Sequence, residues 1–311
     1  MNIQQLKYVL AVVEYRHFES AAEKCCVTQS TLSTMISKLE DEINIKIFDR
    51  SKKPVQVTSE GAVVIEQLRI IIHDINQLGE LVKEIKGEVN GNLTMAVIPT
   101  IAPFLLPVFL QDFAEKFPEL QIEVKEQTTQ EIIRLIKLRE LDIGIVSVPL
   151  QDEDIIELKL YDEPFVLYDA ALKNKDNTPV KKMDLSNLLL MEDGHCMRTQ
   201  ALQVCDRSKV VKKSTVNFTF KAGSIDSLVR FVKVNKASTL LPYLSILDFN
   251  ELEKCHIKYF SSPVPMRSVG LVIHKHFVKK KILELVQKEI IEKITPLLPQ
   301  KIRGEILFPM I

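Results

Sequence analysis

The chain has no excess of either charge: 41 Lys and Arg stand against 41 Asp and Glu in 311 residues. Net charge therefore gives no pointer to a nucleic-acid partner, and any DNA contact has to rest on local pattern. Glycine is scarce at 9 residues, and apolar and charged residues make up 46% and 26%, which excludes collagen-like and disordered chains. No secretory signal is evident, because MNIQQLKYVL is amphipathic and runs into charged residues within a few positions. The expectation is a cytoplasmic protein. Its five cysteines then sit in a reducing compartment, where a disulfide is a signal rather than a staple.

One uncharged run, Asn90 to Gln111, is long enough to span a bilayer. It carries Pro99, Pro103 and Pro107, together with Gly91, two Asn and two Thr, which a lone lipid-exposed helix disfavours. A buried strand followed by a buried helix is the better reading, with no membrane partner. The length leaves room for two or three domains around a sizeable core.

In the first sixty residues, Ile3, Leu6, Val9, Leu10 and Val13 recur at helical spacing. Ala21 and Ala22 let a second helix approach closely, Val27 closes a turn, and Thr28 is a good N-cap for a third helix from Gln29. Leu32, Ile36 and Leu39 form its apolar stripe, opposite Gln29, Ser30, Thr31, Ser33, Thr34 and Lys38. A face of short polar side chains with little charge suits base edges and phosphates in a major groove. KIFDRSKKPVQVT then reads as a hairpin wing whose Lys46, Arg50, Lys52 and Lys53 would sit over the phosphate backbone. A plain three-helix bundle with a solvated loop is the other reading of the same pattern.

From FESAAEKCCVTQSTLSTMISKLEDEINIKIFDR to VTSEG, the chain resembles the winged helix-turn-helix of LysR-type transcription regulators. Phe18, Ala21-Ala22, Val27 to Ser30, Leu32-Ser33, Ile36, Leu39-Glu40, Phe48, Arg50, Thr58 and Gly61 carry the resemblance; Ser30 stands where that family often has Pro. It implies that Gln29, Ser30, Thr31, Ser33 and Lys38 lie at double-stranded DNA, with Arg50 in the wing.

Beyond Thr58, itself a fair cap, Val64, Leu68, Ile71, Ile75, Leu78, Val82 and Ile85 alternate spacings of four and three. That 3.5-residue repeat is a coiled-coil seam, so the helix should pair with a second copy of the chain and space two recognition helices. GEVNG, Gly87 to Gly91, then breaks the helix as a hinge. The expected division is residues 1–58 for DNA binding, 59–90 for the dimerising helix and hinge, and 91–311 for a sensing domain.

That last part reads LTMAVIPT as strand, Phe104 to Phe113 as helix, LQIEVKE as strand, Gln130 to Arg139 as helix and LDIGIVSV as strand. The βαβαβ order predicts an α/β domain with a parallel sheet. Thr100 and Thr129 fall at carboxyl ends of strands, where such sheets bind ligands, although either could simply cap a helix. The family resemblance implies a two-lobed, periplasmic-binding-protein-like fold. Its first lobe would hold about 91–163 and 268–311, its second about 164–267, with STLLPYL (Ser238 to Leu244) as a late strand.

Within LLLMEDGHCMRTQALQVC, His195 precedes Cys196, Arg198 follows it by two and Cys205 by nine. A nearby cation would lower the thiol's pKa and so raise its reactivity toward peroxide. The resulting sulfenic acid could condense with a second thiol, for which Cys205 is the candidate. If the two start apart on a helix, bonding them must unwind it. Packing cysteines and a metal set of His195, Cys196 and Cys205 are the alternatives, though no fourth ligand lies near in sequence.

MEDGHCMRTQALQVC, IPTIAPFLLP, LYDEP and the opening MNIQQLKYVLAVVEYRHF resemble the peroxide-sensing members of the LysR-type family over most of the chain. The resemblance implies a transcription regulator rather than an enzyme, without a bound cofactor or metal, and responsive to hydrogen peroxide. Cys196 would be peroxidatic and Cys205 resolving, with Thr100, Thr129 and His195 positioning peroxide. Arg198 would stabilise the thiolate, and Arg267, in MRSVGL, would do so after rearrangement. The family further implies a homotetramer that contacts RNA polymerase. Cys25 and Cys26 are expected to pack within the helix-turn-helix. Two other functions remain: a LysR-type regulator sensing a small metabolite between its lobes, and a thiol peroxidase.

Overall fold

The computed structural model describes residues 1–171, 188–204, 221–300 and 302–309. It divides into two compact units, Met1–Lys86 and Gly87–Ile311.

In the first unit, α1 (Ile3–Tyr15), α2 (Phe18–Lys24) and α3 (Gln29–Ile43) enclose a small core. Leu6, Val9 and Val12 of α1 meet Ala21 and Ala22, whose lack of bulk lets the backbones approach, and Leu32, Ile36 and Leu39 of α3. Ile3 is exposed instead, since one helix stripe has only so much facing core to cover. Thr28 caps α3 as expected, its Oγ1 accepting from Thr31 N at 3.2 Å. Cys25 packs partly against this core, whereas Cys26 is exposed: at φ 55° in the turn before α3 its side chain points outward, contrary to expectation. The wing is β1 (Phe48–Asp49) paired antiparallel with β2 (Gln56–Val57), and Lys52 and Lys53 are exposed between them.

The 28-residue α4 (Ser59–Lys86) follows. Thr58 Oγ1 accepts from Gly61 N at 2.9 Å and ties the helix start to the wing by donating to Lys46 O at 2.6 Å. Ile65 and Leu68 are buried against the first three helices. Farther along, Ile75, Leu78, Val82 and Ile85 are exposed, Leu78 by 65% and Ile85 by 77%. Gly87, at φ 70°, ends the helix in a backbone conformation that costs glycine little.

The second unit opens with β3 (Gly91–Val97), α5 (Ala102–Lys116), β4 (Leu120–Glu126), α6 (Thr129–Lys137) and β5 (Ile143–Val148). Both β4 and β5 run parallel to β3, and the uncharged run is indeed a buried strand followed by a helix. Among the described residues no helix is long and apolar enough to cross a membrane. Two long strands, β6 (Ile155–Asp169) and later β9 (Val264–His274), lie antiparallel and join two halves of the sheet. Between them come α7 (Cys196–Val204), α8 (Ile225–Asn235), β7 (Ser238–Pro242), α9 (Glu251–Lys254) and β8 (Ile257–Lys258). After β9 come α10 (Lys280–Ile294) and β10 (Gly304–Ile306). The strand order β4-β3-β5-β9-β6-β7 shows an antiparallel insertion beside the expected parallel strands.

Two apolar cores flank the long strands. One gathers β3, α5, α6, β5 and α10; the other gathers the far end of β6, α7, α8 and β7. Cys196 belongs to the first core and the next residue, Met197, to the second, so the start of α7 bridges the two. Leu307, near the C-terminus, is also buried with the second core, away from the lobe expected to hold residues 268–311.

Candidate functional site

On the first unit, Gln29, Ser30, Thr31 and Lys38 are exposed along α3, and Ser33 is half-buried. The hydroxyls form a chain, with Thr28 Oγ1 lying 3.0 Å from Ser30 Oγ and 2.8 Å from Thr31 Oγ1. Arg50, beside the hairpin, also reaches back to α3. Its Nη2 lies 3.2 Å from Glu40 Oε2, its Nη1 donates to Ser33 Oγ at 3.0 Å, and its guanidinium lies 5.0 Å from the Phe18 ring centre. The cause is Glu40, buried at the end of the α3 stripe, whose Oε1 accepts from Ile47 N and Phe48 N at 2.8 and 3.1 Å. A carboxylate taken out of water needs a cation as well as N–H donors, and Arg50 supplies it. Arg50 thus pins the hairpin to α3, leaving Lys52 and Lys53 exposed between its strands.

The second unit brings most of the remaining candidates to one buried place. Thr100, in the turn between β3 and α5, is 1% exposed. Arg267, on β9, is equally buried and donates from Nη1 to Thr100 Oγ1 and from Nη2 to Thr100 O, both at 3.1 Å. Its charge is matched by Glu163, its register partner on β6: Nε donates to Oε2 at 2.8 Å and Nη2 lies 2.7 Å from the same oxygen. The other oxygen of Glu163 accepts from Leu244 N at 2.7 Å.

Cys196 opens α7 and is nearly enclosed. Its Sγ donates to Ser147 Oγ, on β5, at 3.5 Å. Burial pushes this thiol above its ordinary value, while the Ser147 hydroxyl, the Arg267 charge, the Met197 N–H and the Thr129 hydroxyl pull it back. The thiol therefore keeps its proton in this arrangement, contrary to the expected thiolate. Arg267, the cation among these groups, is itself paired with Glu163. Thr129 is available to the sulfur because Thr128 does the capping of α6, accepting from Glu131 N. Of the two roles open to Thr129, the cap is thus already filled.

Arg198 does not serve the sulfur. It lies 2.9 Å from Asp193 Oδ1 and donates to Met191 O at 3.0 Å. Residues i and i+2 point to opposite sides of a helix, so the sequence proximity was misleading. His195 is buried just before α7, with Nε2 3.8 Å from Glu192 Oε1. Cys205 lies outside the described residues, so the disulfide pairing and the three-ligand metal set both rest on a position without described structure. Two members of the site escaped sequence reasoning. Ser147 sits at the carboxyl end of β5, so the rule that selected Thr100 and Thr129 would have found it. Glu163 gave no such signal, since a charge within LYDEP reads as surface.

A buried thiol at a helix start, within reach of hydroxyls and one compensated cation, is joined in a single chain to a winged helix-turn-helix. Fold and site together define a two-unit regulator, a winged helix-turn-helix followed by a larger α/β domain with a buried thiol. Residues 86–288 match the LysR substrate binding domain, and residues 3–62 match the bacterial regulatory helix-turn-helix protein, lysR family. The chain belongs to the LysR family.

It is similar to the DNA-binding transcriptional dual regulator OxyR of Escherichia coli K12, at 32% identity over 277 residues, 88% of this chain and 89% of that one. The hydrogen peroxide-inducible genes activator of Haemophilus influenzae is 30% identical over 277 residues, 88% and 90% of the two chains. Among solved structures, a full-length OxyR cysteine variant from Pseudomonas aeruginosa has a TM-score of 0.73 at 28% identity, covering 94% of this chain and 98% of that one. A hydrogen-peroxide-bound OxyR cysteine mutant of Corynebacterium glutamicum shares the fold, with a TM-score of 0.62 at 24% identity over 97% and 98%.

Proposed function

We propose that this chain is a cytoplasmic, hydrogen-peroxide-responsive transcription regulator, switched by oxidation of Cys196 and its pairing with Cys205. The observation that carries the reading is the enclosure of Cys196 among Ser147, Thr129 and Arg267, with Arg267 held to Thr100. Relatives named for hydrogen-peroxide-inducible genes support the choice of oxidant. In the first step the sulfur gives up its proton and attacks one oxygen of the peroxide. The O–O bond breaks, Cys196 becomes a sulfenic acid, and the departing hydroxide takes a proton to leave as water. In the second step the Cys205 thiol attacks the sulfenic sulfur, a disulfide forms and a second water leaves.

Arg267 and the hydroxyls of Thr100, Thr129 and Ser147 have the chemistry to bind the two peroxide oxygens and to favour the departing anion. His195 precedes the sulfur and is the further positioning group. α7 spans nine residues, about 13 Å. Cys205 follows it directly in sequence, so closing the disulfide requires the helix to give way.

DNA is bound by α3 and by Lys52 and Lys53 in the wing. The exposed stripe from Ile75 to Ile85 pairs two copies, and pairs of dimers form a homotetramer that contacts RNA polymerase. The test is mass spectrometry after stoichiometric peroxide. A Cys196–Cys205 crosslinked peptide is expected in the wild-type chain. Its absence would overturn the redox reading in favour of a small metabolite bound between the lobes. Many turnovers of peroxide per chain with a reductant would instead indicate a thiol peroxidase.

A further inference from the structure

The C-terminal segment is fastened to the helix that begins at Cys196. β10 runs parallel to the first residues of β9, with Gly304 to Ile306 opposite Val264 to Met266, and Leu307 N donates to Met266 O at 2.8 Å. Leu307 is buried with Met197 and Ala201 of α7 in the second core. Two glutamines one turn apart on α7 then grip the segment's backbone. Gln200, fully buried, donates from Nε2 to Leu307 O at 3.1 Å. Gln203 donates from Nε2 to Phe308 O at 2.6 Å and accepts from Phe308 N at 3.0 Å. These bonds join positions more than 100 residues apart. The buried Oε1 of Gln200 has no hydrogen-bond partner among the described residues, so the donor to Leu307 O is the amide's whole polar use there.

We infer that Gln200 and Gln203 are positioning residues for the switch: by clamping α7 to residues 307–308 they set how readily the helix yields to a Cys196–Cys205 disulfide. The inference rests on the redox reading above. The clamp exists only while α7 is helical, because unwinding separates Gln200 from Gln203 and neither amide can keep its carbonyl. It therefore stabilises the thiol form and opposes the second chemical step, condensation of the sulfenic acid with the Cys205 thiol. The first step, attack of the Cys196 sulfur on peroxide, does not need α7 to open, and the clamp leaves it unchanged. A group that merely held the fold together would not divide the two steps in this way.

The variant Gln203→Ala removes two hydrogen bonds at a half-buried site; Gln200→Met replaces a buried amide with a side chain of similar volume. A net hydrogen bond contributes roughly a fivefold factor to an equilibrium. Rapid mixing with hydrogen peroxide, quenched and read by mass spectrometry, should show sulfenic-acid formation within twofold of wild type. Disulfide formation should be about fivefold faster or more in Gln203→Ala. At equilibrium against a glutathione buffer, a fivefold bias toward the disulfide appears as a potential about 20 mV more negative. A chain ending at Arg303 should show the same direction with a larger effect; should it fail to fold, the two glutamine variants decide. If wild type forms the disulfide and Gln203→Ala and Gln200→Met form it no faster and at the same potential, the clamp is refuted. If both steps change equally, the glutamines act on the fold alone and the inference likewise fails. If wild type forms no disulfide at all, the redox reading itself is what has failed.

Discussion

Removing either member of the Arg267–Glu163 pair should destabilise the second unit in the same direction while driving the Cys196 thiol in opposite directions. Both side chains are essentially without solvent contact. Deleting one partner of such a pair strands a buried charge, which costs about 3–5 kcal/mol. For a unit of this size that is roughly 6–20 °C in Tm. Arg267→Met also abandons Thr100 Oγ1 and Thr100 O, so it belongs at the upper end. Glu163→Gln keeps an acceptor for Leu244 N and belongs at the lower end. The double variant should cost less than the sum of the singles, because neither charge is then left alone.

The thiol separates the two variants. Arg267 is one of the groups pulling the Cys196 thiol downward, so Arg267→Met should raise its pKa and slow its alkylation at pH 7. Glu163→Gln leaves the guanidinium uncompensated, so it should lower the thiol's pKa and speed the same reaction. The assay is iodoacetamide labelling across pH, quantified on the peptide containing Cys196, beside thermal unfolding of the same samples. A cost under about 1 kcal/mol for Arg267→Met, or slower labelling in both variants, would refute the argument.

Three further outcomes are expected. Arg50→Ala should destabilise the DNA-binding unit by about 1–3 kcal/mol, because Glu40 loses its closer cation and keeps only Lys46 at 3.9 Å; Lys52→Ala should leave stability unchanged and reduce the salt slope of DNA binding by about one. Fluorescence anisotropy at several salt concentrations, with thermal melts, distinguishes them. Leu78→Asp, placed in the exposed stripe of α4, should dissociate the paired chains in analytical ultracentrifugation at micromolar concentration without lowering helix content. His274 is held down to about 4 by burial, with Arg139 and His276 adding to it, against an ordinary value of 6.5. It therefore stabilises the fold above pH 6.5, and that contribution is lost as pH falls toward 4. Melting curves of wild type and His274→Gln should converge over this window; parallel curves would exclude the histidine as a cause.

Where one physical signal dominated, the fold could be read from residues. The stripe Leu32, Ile36, Leu39 and the cap at Thr28 placed α3, and alternating four and three spacings placed α4. The long strand β6 was hidden because Glu157, Lys159, Asp162 and Glu163 interrupt any alternation. A register shift between Lys159 and Tyr161 also changes which side chains face the core. What sequence missed at the sites has a common cause. Arg198 was assigned by nearness in sequence and Arg50 by its place in a basic hairpin, whereas each charge is also met by a carboxylate that geometry brings close, Asp193 and Glu40. A buried Glu is the residue that sequence reasoning places worst, since composition alone puts it on the surface.

The raised thiol is compatible with a sensor and awkward for a turnover enzyme. An enzyme that reduces peroxide repeatedly needs its sulfur ionised and open between cycles. Here burial holds the proton on, while two hydroxyls, one backbone N–H and the Glu163-paired guanidinium of Arg267 hold the thiolate within reach. Those groups come from different elements. Thr129 and Ser147 stand on the α6 and β5 side, Cys196 opens α7, and Arg267 with Glu163 lies on the two strands joining the halves. A change in charge or bonding at one sulfur is therefore applied at the junction of the two cores, since Cys196 packs in one and Met197 in the other. Packed cores do not deform gradually. A covalent event that draws Cys196 out must let both repack, and this turns oxidation of a single atom into a rearrangement the rest of the chain can register.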